Sequence, residues 1–503
     1  MPAHMRTASE TSLPDDSPFK LPDSPNKLRN PYLGRGGFLG PSFVITGMQF
    51  GPLLEAVRVY TITSLWLLIV VQFFIGLVLL TPLKLLGGPG NRLYVYLTML
   101  WDGFSQGAIL CVPFSWCGLC AYTNTWPHCL ESKAAGSSLY MSNHSSRVDW
   151  LIGLYLGYIT GPRVHVRFIA EITMAFMPIA GWSRFLIGDI LLRRTFHRDA
   201  INVRKKLAEY ESVPNARMVF FAPEGAIADV GNEKDSKYID ACEAFMTELG
   251  RPKLQFLLTP RYKGLSVLKA HAPDNICTAT MAFVTSQAPF GRDIQFAPDG
   301  KIEGGSLCTL PQRDPERVVP DLHTVFGGGL HVFVKTERVS LPEENLATPT
   351  AGSDAAAAPP PNHKLRDALL DDYARKDAEL LEFKTRRKFK GVTKADDWVQ
   401  FPCPHLSMNL TVVAYAFIGL NWVSYVYGIN SYVGAFRHMA TVWFVFVLLH
   451  ALSHVIGVAV SGHSRESLVG ESAFKAILEL AKGGLDHGDK AAGKAKAKAK
   501  KAE

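Results

Sequence analysis

Residues 137–160 read SSLYMSNHSSRVDWLIGLYLGYIT: a short apolar run, a polar turn and an apolar helical pattern in direct succession. The first six residues have the composition of a buried strand, and WLIGLYLGYI (150–159) has the composition of a buried helix. Short β-type runs and helical patterns keep alternating through residues 133–397. This alternation predicts a domain of the α/β class.

Four further runs are predicted to be strands of this domain: RMVFFAP (217–223), LQFLLTP (254–260), NICTATMAFV (275–284) and GGLHVFVKT (328–336). Helical periodicity marks residues 200–210 and the charged segment LRDALLDDYARKDAELLEF (365–383). A low-complexity insertion at about residues 345–363 is predicted to be a flexible loop. We therefore place the α/β domain at residues 124–397.

Two apolar runs, about residues 60–83 and 93–122, precede the domain, and the first is long enough to cross a bilayer. The second contains Asp102, whose carboxylate would cost about 2.5–3.5 kcal/mol at the bilayer centre. We therefore expect either that the membrane part of this run starts at or after Asp102, or that the pair dips into one leaflet. Both readings predict an N-terminal membrane hairpin at residues 56–123.

The rest of the chain predicts a membrane protein with cytosolic ends. Apolar runs at about 410–427 and 439–460 indicate a C-terminal transmembrane hairpin within residues 398–462. Basic residues flank the outer ends of both hairpins, which orients the α/β domain toward the cytosol. The final residues, KKAE, fit an endoplasmic-reticulum retrieval signal. We expect a multi-pass protein of that membrane, with a disordered N-terminus (1–55) and a basic tail (463–503).

Composition agrees with a membrane protein and excludes several classes. The 503 residues are 48% hydrophobic and 19% charged, below the roughly 25% charged content of soluble domains. These values exclude a disordered chain, a coiled coil and a small disulfide scaffold. The net charge of +8 favours anionic partners. Cys117 and Cys120 form a CxxC inside an apolar run without further Cys or His ligands nearby, so we predict packing and no metal site.

The polar turn after the first strand carries the chemistry. His144 and Asp149 lie five positions apart, about 140° around a continuous helix, so they can meet only if His144 lies in the turn and Asp149 starts the helix. Asp149 would then orient His144, whose second ring nitrogen could remove a proton. The chain has no GxSxG elbow, so the pair suggests direct attack by a substrate hydroxyl. The alternative is that Asp149 caps the helix and His144 is an ordinary turn residue.

The motif of Asn143, His144 and Asp149 resembles the NHx4D motif of the glycerolipid acyltransferases, the family that includes the lysophosphatidic acid and lysocardiolipin acyltransferases. Three further blocks follow in the family's order. They are GDILLRR (188–194), FAPEG (221–225) and LLTPRYKG (257–264). The resemblance covers about residues 55–390, and it implies a glycerolipid-acyltransferase-like αβ domain.

The resemblance also implies an activity and its residues. His144 would be the general base and Asp149 its orienting partner, in the transfer of an acyl group from acyl-CoA to the sn-2 hydroxyl of lysophosphatidic acid. Substrate binding would fall to Asn143, Arg194, Glu224 and Gly225, with Pro260 and Arg261 as further candidates. We expect Glu224 to hold Arg194 and Gly225 to permit close backbone approach. The implied partners are acyl-CoA, a lysophospholipid and the bilayer, without a cofactor, a metal or nucleic acid.

Two positions depart from the family pattern. Ala226 stands where the family usually has Thr or Ser, and Glu171 stands where it usually has a basic residue. The acceptor is therefore open, and another lysophospholipid, such as lysophosphatidylinositol or lysocardiolipin, is the alternative within the same chemistry. A non-catalytic membrane scaffold is the alternative outside it.

Overall fold

The structure, a computed structural model, describes the following residues: 52–125, 138–160, 165–211, 217–227, 233–269, 276–286, 293–342, 363–401, 403, 405–427 and 433–434. The chain divides into two compact units. One unit includes residues 69–416 and holds the sheet and the candidate site, whereas residues 50–68 and 417–503 belong to the other.

The helices of the described residues are α1 (Pro52–Leu80), α2 (Gly88–Leu110), α3 (Asp149–Thr160), α4 (Ala180–Ile187), α5 (Phe196–Glu211), α6 (Glu233–Glu248), α7 (Tyr262–Lys269), α8 (Leu322–Gly327), α9 (Lys364–Arg386) and α10 (His405–Tyr427). The helical patterns predicted after Asp149, at 200–210 and at 365–383 correspond to α3, α5 and α9.

The strands of the described residues are β1 (Cys120–Thr123), β2 (Ser138–Ser142), β3 (His165–Glu171), β4 (Ile190–Leu192), β5 (Arg217–Phe221), β6 (Ile276–Thr285), β7 (Gln295–Phe296), β8 (Ile302–Glu303), β9 (Ser306–Leu307), β10 (Leu330–Arg338) and β11 (Val399–Gln400). Nine of them form one sheet in the order β11-β1-β10-β6-β2-β5-β3-β4, with β9 beside β6, and β7 pairs with β8. The α/β class is confirmed.

Parallel pairing brings the ends of four strands to one edge of the sheet. β2, β5, β3 and β4 pair in parallel in that order, so their carboxyl ends lie side by side. This is the edge at which open α/β sheets bind their ligands. The segments that leave these strands carry His144, Glu224 and Arg194, and Glu171 is the last residue of β3.

Helices cover both faces of this part of the sheet. Buried side chains of α9, including Leu369 and Phe383, join those of β2 and β5 in one apolar cluster. α3 lies on the sheet with almost no space: a Cβ added at Gly157 would stand 2.1 Å from a methyl group of Val166. A side chain at position 157 would collide with Val166, so glycine permits this close packing of α3 on the sheet.

The prediction of a strand at residues 254–260 is wrong. The peptide N–H groups of Gln255, Phe256 and Leu257 donate to the carboxylate of Asp377 on α9 at 2.7–3.2 Å, and that of Leu258 donates to Glu224. These donors are therefore used by side chains and not by a neighbouring strand. The other four predicted strands are present as β2, β5, β6 and β10.

The sheet extends past both predicted limits of the domain. β1 lies in the segment predicted as membrane hairpin, yet it pairs with β10 in parallel. β11 lies beyond residue 397 and pairs with β1. The predicted domain, residues 124–397, excludes β1 and β11 because both strands are very short and adjoin apolar runs.

Asp102 lies in a protein contact, and where the second apolar run enters a membrane stays a prediction. α2 starts at Gly88 and runs through Asp102, whose carboxylate accepts a 3.0 Å hydrogen bond from Arg167 on β3. Both side chains are at most 4% exposed. Asp102 therefore attaches α2 to the sheet.

Two helical segments, Val59–Leu86 and Arg92–Trp116, are long and apolar enough to cross a membrane on length and composition alone. Of the predicted C-terminal hairpin, the first run coincides with most of α10, and residues 439–460 lie outside the described part of the chain. Residues 1–51, the insertion over 343–362 and the tail from 435 onward also lie outside it.

Candidate active site

His144 and Asp149 meet at the start of α3. The helix begins at Asp149, and the Asp149 Oδ2 atom lies 2.5 Å from His144 Nδ1. The His144 side chain is 27% exposed, whereas that of Asp149 is 4% exposed. With Asp149 ionised, Nδ1 carries the hydrogen, and Nε2 keeps a lone pair for a substrate proton. The predicted geometry of the pair is confirmed, and its catalytic role stays a prediction.

The surroundings of His144 favour its protonated form. Burial lowers the pKa of the imidazole, but the charge and hydrogen bond of Asp149 and the charge of Glu224 raise it further, so the net pKa lies above the usual 6.5. A raised pKa makes the imidazole a stronger base. The pair therefore has the electrostatics of a proton acceptor.

Asn143 holds the turn and does not face a substrate. Its side chain is fully buried, its Oδ1 accepts from the peptide N–H of Met281 on β6, and its Nδ2 donates to Met281 O and to Ser145 Oγ. Both amide hydrogens are thus used inside the protein. Asn143 was expected to contact the substrate, but in the structure its side chain holds the turn in position.

The two serines after His144 are also part of the turn. Ser145 accepts the hydrogen bond from Asn143, and the hydroxyl of Ser146 donates to the carbonyl of Pro320 at 3.0 Å. Both are at most 4% exposed. Neither side chain is placed to act as a nucleophile, which agrees with direct attack by a substrate hydroxyl.

The Glu224 carboxylate connects the turn that contains His144 with the loop that contains Leu258. Its carboxylate accepts from the peptide N–H of His144 at 2.8 Å and from that of Leu258 at 3.2 Å. Desolvation by burial raises the pKa of this carboxyl to about 7, against the lowering effects of His144, Leu258 and Lys376. The expectation that Glu224 holds Arg194 is wrong, because the Arg194 guanidinium contacts Glu171 and the carbonyl of Gly225.

Arg194 is held by other groups. Its guanidinium lies 2.6 Å from the carboxylate of Glu171 at the end of β3, and it donates to the carbonyl of Gly225 at 3.2 Å. Arg194 itself adopts a positive φ of 61° between β4 and α5. Its side chain is 45% exposed, so a phosphate could reach a guanidinium that binds such groups in bidentate fashion.

The third and fourth sequence blocks meet beside Arg194. Gly225 has a φ of 66°, a conformation that favours glycine, and the peptide N–H of Arg261 donates to the carbonyl of Pro223 at 2.8 Å. The Arg261 side chain is exposed and donates to the hydroxyl of Tyr238 at 2.9 Å. Pro260 is buried, so of the two further candidates only Arg261 presents its side chain to solvent.

Sequence reasoning missed the residues that support the site from a distance. Asp377 binds three peptide groups of the loop before Leu258, and Tyr373 donates to the carbonyl of Ser142 at 3.3 Å. Both lie on α9, more than 200 positions from His144. In the sequence, these two residues appear only as an acidic and an aromatic side chain in an amphipathic helix, and this pattern is typical of any surface helix.

The described residues include no group of three or more His, Cys, Asp or Glu side chains arranged to hold a metal ion. Within the same part of the chain, Cys117 is fully buried and Cys120 lies in β1.

Comparison with known proteins finds similarity over part of this domain. A family model described as Acyltransferase matches residues 128–257. The 1-acyl-sn-glycerol-3-phosphate acyltransferase epsilon of Mus musculus is 27% identical over 158 residues, which are 31% of this chain and 42% of the relative. The 1-acyl-sn-glycerol-3-phosphate acyltransferase 3 of Arabidopsis thaliana is 27% identical over 135 residues, covering 27% of this chain and 34% of the relative.

A second plant relative, the probable 1-acyl-sn-glycerol-3-phosphate acyltransferase 5 of Arabidopsis thaliana, is 26% identical over 126 residues, 25% of this chain and 32% of the relative. The chain thus spans less than half the length of each of these relatives. The similarity overlaps the part of the sheet whose strand ends carry His144, Arg194 and Glu224. Over residues 128–257 this chain is therefore similar to the acyltransferase family, and it resembles the 1-acyl-sn-glycerol-3-phosphate acyltransferases.

Proposed function

We propose that this protein is a membrane-bound acyltransferase that moves an acyl group from acyl-CoA to the sn-2 hydroxyl of lysophosphatidic acid and so forms phosphatidic acid. The observation that carries the proposal is the 2.5 Å contact between His144 and Asp149 at the carboxyl edge of the sheet. Arg194 at the same edge and the names of the relatives support the choice of a phosphorylated acceptor.

The chemistry follows from the free nitrogen of His144. Nε2 takes the proton of the acceptor hydroxyl as its oxygen attacks the thioester carbonyl carbon. A carbon–oxygen bond forms, the carbon–sulfur bond breaks, and the proton passes from His144 to the sulfur of the departing CoA. Asp149 stabilises the imidazolium that forms between these two proton transfers. No acyl-enzyme is needed.

The site's place near a membrane also belongs to this proposal. The two long apolar helices support a membrane anchor, and the +8 charge favours both an anionic lipid surface and CoA. We further propose that the protein resides in the endoplasmic-reticulum membrane with the sheet on the cytosolic side, where CoA is dissolved.

The test is acyl transfer in membranes that contain the full chain. Oleoyl-CoA is the donor, and the acceptors are lysophosphatidic acid, lysophosphatidylinositol and lysocardiolipin, with membranes lacking the protein as control. We expect lysophosphatidic acid to be the best acceptor and the new ester to lie at sn-2. Another best acceptor would contradict the substrate and support phospholipid remodelling. No transfer to any acceptor would favour a scaffold.

The contact between Glu171 and Arg194 is a specific reason to test the other lysophospholipids as acceptors. Its carboxylate lies 2.6 Å from Arg194, so an anionic headgroup must compete with it for the guanidinium. We expect Glu171→Gln to lower the KM for lysophosphatidic acid by up to about fivefold, since an exposed ion pair is worth up to about 1 kcal/mol. Initial rates over a range of acceptor concentrations measure this change.

The control for Glu171→Gln is Glu248→Gln, the same loss of charge at the exposed end of α6. It should leave the KM unchanged. An equal fall in both variants would reflect the general charge of the surface, and an unchanged KM in Glu171→Gln would mean that Arg194 does not contact the acceptor's phosphate.

A further inference from the structure

The crossover between β3 and β4, residues 172–189, exposes a group of large apolar side chains. Five of its residues are 41–63% exposed: Met174, Phe176, Met177, Trp182 and Phe185. The rest of the described chain between β1 and β11 exposes four large apolar side chains, and these are scattered: Ile201, Phe245, Val318 and Leu381. Soluble surfaces rarely gather so many apolar side chains in one segment, and such a group marks an interaction site.

The exposed side chains of the crossover form an outward face. Within α4, Trp182 and Phe185 lie three positions apart, on the side opposite the buried Ile187. Gly181 lets the backbone at Met174 approach the same helix, since a Cβ at position 181 would lie 1.7 Å from the Met174 carbonyl oxygen. The crossover is thus tightly packed on one side and apolar on the other.

The same surface continues onto the two N-terminal helices. The ring of Trp182 lies 5.6 Å from that of Phe74 on α1, and the hydroxyl of Tyr94 on α2 donates to the carbonyl of Leu186 at 2.8 Å. Further large apolar side chains are exposed on these helices, close in sequence to the contacts: Val78, Leu79, Leu93 and Tyr96. Both helices lie in segments that are long and apolar enough to cross a membrane. The crossover is therefore continuous with the part of the protein proposed to enter the membrane.

The charges around the crossover suit an anionic membrane. Its charged side chains, Arg184 and Asp189, pair with each other, with Arg184 Nε 2.5 Å from Asp189 Oδ2. The crossover therefore presents no net charge to oppose contact with lipid. Cations lie at its borders: Lys84 is exposed with its Nζ 4.3 Å from the ring centre of Tyr94, and Arg193 is exposed directly after β4. Apolar side chains bordered by basic ones are typical of segments that lie in the interface of an anionic bilayer.

We propose that this crossover is a membrane-contacting surface, whose apolar side chains enter the headgroup region of an anionic lipid bilayer beside the candidate site. Glu171 directly precedes the crossover and Arg194 follows β4, and these two side chains form the 2.6 Å ion pair at the site. Insertion of the crossover therefore brings Arg194 to the depth of the lipid phosphates. A lysophospholipid acceptor can then be bound by its phosphate while its acyl chain stays in the bilayer. This last step rests on the proposed function, whereas the membrane contact does not.

The first experiment identifies the molecule that touches position 185. In the full chain, p-benzoylphenylalanine replaces Phe185, and the protein is reconstituted in phosphatidylcholine vesicles with or without phosphatidylserine. On irradiation this residue forms a covalent bond to a neighbouring C–H group, and mass spectrometry identifies the adduct. We expect a lipid adduct, with a higher yield when phosphatidylserine is present.

The matched control is the same replacement of Phe245, an aromatic side chain on α6 that is 37% exposed and lies two positions from Glu243, which pairs with Arg313. It should give no lipid adduct. An adduct with protein at position 185, from this chain or a second copy, would contradict the proposal and indicate a protein interface. Equal lipid adducts at both positions would contradict it as well, and a yield independent of phosphatidylserine would contradict the preference for an anionic bilayer.

The second experiment measures acyl transfer to lysophosphatidic acid in the same vesicles. Phe185→Ser should raise the KM for this acceptor about tenfold and leave kcat unchanged, because serine loses the favourable burial of the phenyl ring in the bilayer. Phe245→Ser should change neither constant. A lower kcat with the original KM would mean that Phe185 supports the fold of the site, and would contradict the proposal. If the original protein transfers no acyl group, the proposed function fails, while the adducts still test the membrane contact.

Discussion

His144→Ala should lower the rate of acyl transfer by about 10²–10⁴-fold, the contribution typical of a positioned general base. The imidazole Nε2 is the proton acceptor that Asp149 orients at 2.5 Å, and alanine removes it. The hydrogen bond from residue 144 to Glu224 uses the peptide N–H, so alanine retains it. Initial rates with oleoyl-CoA and lysophosphatidic acid, in membranes of matched protein content, measure the loss.

Two controls separate chemistry from folding. The melting temperature of His144→Ala should fall, because the Asp149 carboxylate is 4% exposed and loses its ion-pair partner, so the rates are compared at temperatures well below that of unfolding. Asp149→Asn keeps the shape of the orienting side chain without its charge and should also lower the rate strongly. Retention of more than about half of the activity in His144→Ala would exclude His144 as the base.

The same base sets the expected pH dependence. Transfer requires neutral His144, and the pKa of this imidazole lies above 6.5 through the charge of Asp149, although burial opposes it. The rate should therefore fall as the pH drops through that raised value. In Asp149→Asn the acid limb should move to lower pH, since the charge that raises the pKa is lost.

The sequence was sufficient where a short segment determines the geometry. β2, the turn and α3 follow from residues 137–160, and the meeting of His144 with Asp149 follows from their spacing and the start of the helix. Buried strands such as β6 contain no charged residue, and α9 has an evident helical period. These features are local, so one stretch of sequence contains the information.

The remainder of the site depends on strand order and on contacts between distant segments. Glu224 was expected to hold Arg194, but parallel pairing of β5 with β2 places its carboxylate beneath the peptide of His144. Arg194 is instead next to Glu171, because β4 pairs with β3. Neither neighbour could be deduced from spacing, since each depends on which strand lies beside which.

The largest stability effect is expected from Asp102→Ala. The substitution leaves the guanidinium of Arg167 buried at 4% exposure without its carboxylate, and breaking a buried ion pair in this way costs about 3–5 kcal/mol. The apparent melting temperature in detergent should fall by about 10 °C. Thermal unfolding of the full chain, followed by tryptophan fluorescence, measures this shift.

The direction of this shift distinguishes two positions for α2. If Asp102 faced lipid, its removal would relieve about 2.5–3.5 kcal/mol and the protein would become more stable. A rise in melting temperature would therefore contradict the contact between α2 and β3.

The double variant Asp102→Leu with Arg167→Met should recover most of the loss, because an apolar pair of similar volume leaves no buried charge. Leu100→Ala, at a side chain exposed on the same helix, should change the melting temperature far less. Together the three variants determine whether α2, in the second apolar segment, packs against the sheet. This test does not depend on the activity measurements.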